Sequence, residues 1–96
     1  MRLILITYNE ALDGELTELL DAAGVAGFTK WTRVLGRGRA SGPHLGTHVW
    51  PKANHVLMAA VEDDSGKALM DGVRELRARL GRQGVKAFML PLEEVT

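Results

Sequence analysis

At 96 residues the chain has room for one small domain, and 46% hydrophobic with 25% charged residues is a globular composition, not a disordered one. Lys and Arg number 12, as do Asp and Glu, so the zero formal charge argues against a nucleic-acid partner held by a basic face. Cysteine is absent, the apolar start Met1–Ile6 is too short for a signal peptide and no segment reaches membrane-spanning length; the expectation is a cytoplasmic protein without disulfides or membrane insertion.

Leu3 to Thr7 is a continuous apolar run and reads as a central strand covered on both faces. Asn9 is placed to cap a helix, because its side-chain oxygen can accept from a free first-turn amide. Leu12, Leu16, Leu19, Leu20 and Ala23 then recur at helical spacing, with Glu15, Glu18 and Asp21 on the other side. Gly24 ends this helix, and Val25 supplies the apolar contact that a Schellman cap favours. Phe28 to Leu35 reads as a second strand, with Thr29, Trp31, Arg33 and Leu35 on one face and Phe28, Lys30, Thr32 and Val34 on the other. Such mixed faces suit a strand partly covered from outside the protomer.

Val56 to Val61 is again wholly apolar and reads as a buried strand. Asp63, Asp64 or Ser65 can cap a second helix whose stripe is Leu69, Val73, Leu76 and Leu80. Arg74, Arg77, Arg79 and Arg82 load its solvent face and last turn, where cations suit the helix dipole. Val85 to Leu90 is the fourth strand, with Pro91 at its end.

Leu20-x-x-x-Gly24-Val25-x-x-Phe28 is repeated as Leu80-x-x-x-Gly84-Val85-x-x-Phe88. Strand–helix–strand thus occurs twice. The predicted fold is α+β: a ferredoxin-like βαββαβ domain over residues 1–96, with a four-stranded antiparallel sheet, two helices on one face and a long loop at about 36–54. An apolar sheet with helices on one side leaves its other face to be covered, and self-association covers it most simply.

The loop from Gly36 to Pro51 holds two of the three histidines and two of the three prolines. Connections this long in compact domains are normally functional or disordered. Gly36-Arg37-Gly38-Arg39-Ala40-Ser41-Gly42 follows a strand, but its spacing misses the dinucleotide fingerprint by one residue, and Pro43 and Gly46 stand where a helix should start. Two readings stay open: an anion-binding nest of glycine amides flanked by Arg37 and Arg39, or a turn with solvated arginines. His44 and His48 have a metal-like spacing, with His55 as a third donor, although no cysteine or neighbouring carboxylate completes a set. The other reading places one of them at a subunit interface. Trp31 and Trp50 suit interface anchors better than ligand stacking. No serine or carboxylate stands in a context that marks a nucleophile or an acid–base pair, so no enzyme is expected. An acylphosphatase would need a glycine-rich loop where this chain has Thr7-Tyr8-Asn9-Glu10, and the aromatic pattern of an RNA-recognition module is absent.

Gly24-Val25-Ala26-Gly27-Phe28-Thr29 followed by Val34-Leu35-Gly36-Arg37-Gly38-Arg39 resembles the PII signal-transduction proteins, in which a Gly-x-Gly-Arg entry leads into the so-called T-loop. Val49-Trp50-Pro51-Lys52 resembles the family's return into the third strand. The resemblance implies a homotrimer that binds ATP, ADP or AMP in clefts between subunits and regulates a transporter or an enzyme through the loop. It places Gly27 and Thr29 near the adenine, and Gly36, Gly38 and Arg39 by the phosphates. The chain departs from the pattern at Ala40, where the family usually has Gln, which counts against magnesium and 2-oxoglutarate binding. The loop has no tyrosine to uridylylate, Gly81-Arg82-Gln83-Gly84 replaces the Gly-Asp-Gly-Lys stretch, and Glu93 and Glu94 replace basic residues.

The leading expectation is therefore a PII-like regulator binding a small effector, an adenine nucleotide or an anion, at subunit clefts and signalling through residues 36–51. The alternative is a divalent metal-binding protein of similar architecture, like the CutA tolerance proteins, using His44 and His48.

Overall fold

The structure is a computed structural model, and it describes residues 1–36, 54–81 and 84–96. Along the chain run β1 (Arg2–Asn9), a 3-10 turn (Glu10–Leu12), α1 (Asp13–Ala22), β2 (Thr29–Val34), β3 (Asn54–Val61), α2 (Asp63–Arg79) and β4 (Val85–Pro91). The strands lie in the order β2-β3-β1-β4, every neighbouring pair antiparallel. This is the ferredoxin-like βαββαβ sheet that the sequence predicts.

One face of the sheet makes the core. Ile4, Ile6 and Tyr8 of β1 pair across with Ala59, Leu57 and His55 of β3, and Val61 and Val85 extend the same surface. Against it lie Leu16 and Leu20 of α1 and Leu69, Val73 and Leu76 of α2. The opposite face carries Leu3, Leu5, Val56, Met58, Trp31, Phe88 and Leu90, and within the protomer it stays partly open. The expectation of β1 covered on both faces is thus corrected for the single chain: both helices sit on one side, so alternate residues of an all-apolar strand differ in burial. β3 follows the same rule, with Leu57, Ala59 and Val61 buried and Ala60 exposed.

The helix ends follow local chemistry. Asn9 accepts from the Ala11 N–H at 2.9 Å, so it caps the 3-10 turn, and α1 proper begins at Asp13. At the far end the Val25 N–H reaches the Leu20 carbonyl and the Gly24 N–H reaches that of Asp21, with Gly24 at φ 74°. That pairing is a Schellman cap, and buried Val25 closes it. α2 differs from expectation at both ends. Glu62 holds the N-cap position without a side-chain cap bond, while Asp63 pairs at 3.3 Å with both the Met1 amine and the Arg2 guanidinium. Leu80 leaves the apolar stripe: it is the C-cap, 37% exposed, and Gly81 at φ 67° turns the chain just after it. The repeat therefore joins its two copies differently. Gly24 follows the C-cap of α1 directly, whereas Gly84 comes later and gives its carbonyl to the Asn9 N–H at 2.7 Å, at the mouth of β4. The Arg77 guanidinium donates to the Val85 carbonyl at 2.6 Å and fixes the helix end to that strand.

β2 carries the other correction. Trp31 pairs with Val56 and Val34 with Asn54, so three steps on β2 match two on β3. The extra residue is a bulge, and Arg33 takes it up at φ 57°. A one-residue insertion flips side-chain parity, which moves Val34 onto the face of Thr29 and Trp31 and away from that of Lys30.

Candidate functional site

The loop base is where the chain leaves β2 and enters β3. Gly36 stands there close to Asn54: a Cβ on Gly36 would lie 3.0 Å from Asn54 Nδ2, so the absent side chain lets the two stems approach. Asn54 itself pairs with both Asn9 and Val34, which brings β1, β2 and β3 to one level. Gly27 and Thr29 sit at the other end of β2, exposed, with no atom within 4 Å of a Cβ built on Gly27. Thr29 lies opposite Met58 and Val34 opposite Asn54, so four steps of β3 at roughly 3.3 Å each put about 13 Å between Thr29 and the loop end of the strand. A ligand that contacts both would lie along the strand. Arg37, Gly38, Arg39, His44 and His48 fall outside the described residues.

Beside the loop base, on the helix face, a polar cluster joins four elements. The Tyr8 hydroxyl donates to Asp13 Oδ1 at 2.6 Å, and Lys30 Nζ donates to Asp13 Oδ1 and Oδ2 at 3.1 and 3.2 Å. The His55 ring meets Tyr8 edge-on, with centroids 5.5 Å apart and planes at 89°. His55 Nδ1 is enclosed without a hydrogen-bond partner among the described residues. The Tyr8 hydroxyl first, and then the Lys30 ammonium, hold the Asp13 carboxyl below its usual value against the opposing effect of burial. Burial, reinforced by the bond to Asp13 and its charge, pushes the Tyr8 phenol well above its ordinary value. Asp13 also opens α1, where the helix dipole favours a carboxylate.

Tyr8, Asp13 and Lys30 are not singled out by the sequence. Tyr8 shares the even parity of Ile4 and Ile6, which marks it as inward-facing, but nothing local pairs it with residues five and 22 positions on. His55, weighed as an added metal donor beside His44 and His48, meets the Tyr8 ring edge-on, and among the described residues no three metal-capable side chains come together. The recess between the chain ends, lined by Met1, Leu92, Glu93, Glu94 and Val95, lies at the other end of β1 and offers two carboxylates, so it suits an anion poorly. Among the described residues, no helix is long and apolar enough to cross a membrane.

The profile of the family described as nitrogen regulatory protein P-II matches residues 1–96. No curated protein matches the chain. Among solved structures, CPII of Thiomonas intermedia K12, a nitrogen regulatory PII-like protein bound to ADP, AMP and bicarbonate, aligns with a TM-score of 0.69 at 25% identity, over 93% of this chain and 82% of that one. The same protein with ADP, AMP and acetate gives 0.71 at 23% identity, over 92% and 81%. A PII-like signaling protein of Thermus thermophilus gives 0.67 at 19% identity, over 93% and 82%.

Proposed function

The chain belongs to the nitrogen regulatory protein P-II family, and from that premise we propose that it is a homotrimeric regulator that binds an adenine nucleotide, together with a small anion such as bicarbonate, in clefts between subunits. The observation that carries this reading is the ligand set of the similar CPII structure: ADP, AMP and bicarbonate. In this chain Gly27 and Thr29 would receive the adenine. Gly36 and Gly38 would turn backbone amides toward the phosphates, and Arg37 and Arg39 would supply charge-assisted hydrogen bonds to them.

The open sheet face supports the assembly. Trp31, Phe88 and Leu90 are 46%, 44% and 41% exposed in the protomer. Burying a large apolar side chain contributes about 1.5–3 kcal/mol, so three subunits facing one another gain where a lone protomer does not. Ligand contacts at the Gly36 stem would favour one arrangement of residues 36–51 over the others, which is how occupancy would reach a regulated transporter or enzyme. The role is regulatory, without a catalytic step.

Titration calorimetry with ATP, ADP and AMP, each with and without bicarbonate, tests the reading alongside native mass spectrometry. The expected results are a trimer and saturable heat from an adenine nucleotide. Silence from all three nucleotides and from bicarbonate removes the proposal.

A further inference from the structure

β2 is an edge strand that pairs with β3 alone and is exposed from Thr29 through Arg33. Among the described residues, its one side-chain hydrogen bond to another element is that of Lys30 to Asp13, at 3.1 and 3.2 Å. The acceptor is well anchored. Asp13 lies in the first turn of α1 and also takes the hydroxyl of Tyr8, whose ring is 1% exposed in the core. The other end of the ion pair moves with the strand. Three residues beyond Lys30 the backbone enters the left-handed region at Arg33, and three further on Gly36 packs against Asn54. A non-glycine residue held there is strained and persists only where its surroundings fix it. The β3 ladder restrains one edge of β2, and the Lys30–Asp13 pair restrains its helix face.

We propose that the Lys30–Asp13 ion pair, backed by Tyr8, is a latch that holds β2 and its bulge in the shape the nucleotide site requires, which makes Lys30 a positioning residue for ligand binding. This rests on the nucleotide reading above, since both ends of β2 carry residues assigned to the ligand. Asp13 is faced by Tyr8 from β1, Lys30 from β2 and His55 from β3, and the first two hold its carboxyl below its ordinary value.

Lys30→Met retains the apolar stem and removes the charge, while Lys30→Arg retains the pair. Calorimetry with ADP and AMP should show Lys30→Met binding about fivefold more weakly, the change that roughly 1 kcal/mol produces. Lys30→Arg should restore most of the affinity. The thermal unfolding midpoint of Lys30→Met should fall by no more than about 4–8 °C, the shift that roughly 1 kcal/mol produces in a domain of this size. Equal affinity in wild type and Lys30→Met, or a loss that Lys30→Arg does not rescue, overturns the latch. Hydrogen exchange of unliganded protein separates this failure from that of the nucleotide reading. Amides of Trp31–Val34 should exchange faster in Lys30→Met while those of β1 do not. Unchanged exchange in β2 refutes the latch even if wild type binds no nucleotide, and faster exchange upholds its structural half in that case.

Discussion

Tyr8→Phe removes one oxygen from the interior and leaves the ring's packing intact. The ring is 1% exposed, and the hydroxyl donates at 2.6 Å to a carboxylate. A hydrogen bond to a charged group contributes about 1.5–3 kcal/mol. Two features put this case at the low end: the Asp13 side chain is 42% exposed, and Lys30 remains on it after the change. The expected loss is therefore about 1–1.5 kcal/mol, and at roughly 4–8 °C per kcal/mol for a domain of this size the Tm should fall by about 4–12 °C. The comparison is made at one protomer concentration, because assembly adds to apparent stability. Its pH dependence has a definite sign. Asp13 titrates below its ordinary 3.8 in the folded state, so its contribution is complete above that value and is lost as pH falls through the lower folded one. The gap between wild type and Tyr8→Phe should hold steady from neutral pH to about pH 5 and then close. Equal Tm values at neutral pH, or a gap that persists after Asp13 protonates, would refute the reasoning.

Tyr8 is the chain's one tyrosine, so phenolate absorbance reports on it alone. With its pKa raised in the folded state, its stabilisation is complete below about 10 and is lost as pH rises further, so ionisation should accompany alkaline unfolding. A plain titration centred near 10 on folded protein would contradict this. Leu69→Ala, at a site 1% exposed between α2 and the sheet, should cost about 2–5 kcal/mol in denaturant unfolding; a loss below that range would mean that the helix does not pack as described. Phe88→Asp should leave the far-ultraviolet circular dichroism of the protomer unchanged, since the ring is 44% exposed, while native mass spectra shift from trimer to monomer. Persistence of the trimer would place the interface elsewhere.

The order of elements was legible because most of their starts and stops rest on neighbouring residues. Gly24 and Val25 end α1 through hydrogen bonds spanning six residues, and the stripe Leu69, Val73 and Leu76 needs only helical periodicity to declare its face. The Gly-x-Gly-Arg stretch was legible as a motif, and the family match agrees with it. The bulge at Arg33 was not legible. Strand alternation assumes an even register, and only pairing with β3 reveals that β2 holds one residue more than its partner.

The sequence by itself determined which residues are apolar and where regular structure must stop, because these depend on side-chain chemistry within a few positions. The tertiary structure alone decided which half of each all-apolar strand meets the helices, since Ile4 and Leu5 differ in burial but not in hydrophobicity. It also decided that Lys30 meets a carboxylate 17 residues before it and that His55 turns its ring to Tyr8. Contacts of this kind depend on how separate elements are laid against one another, and no local pattern in the chain encodes that placement.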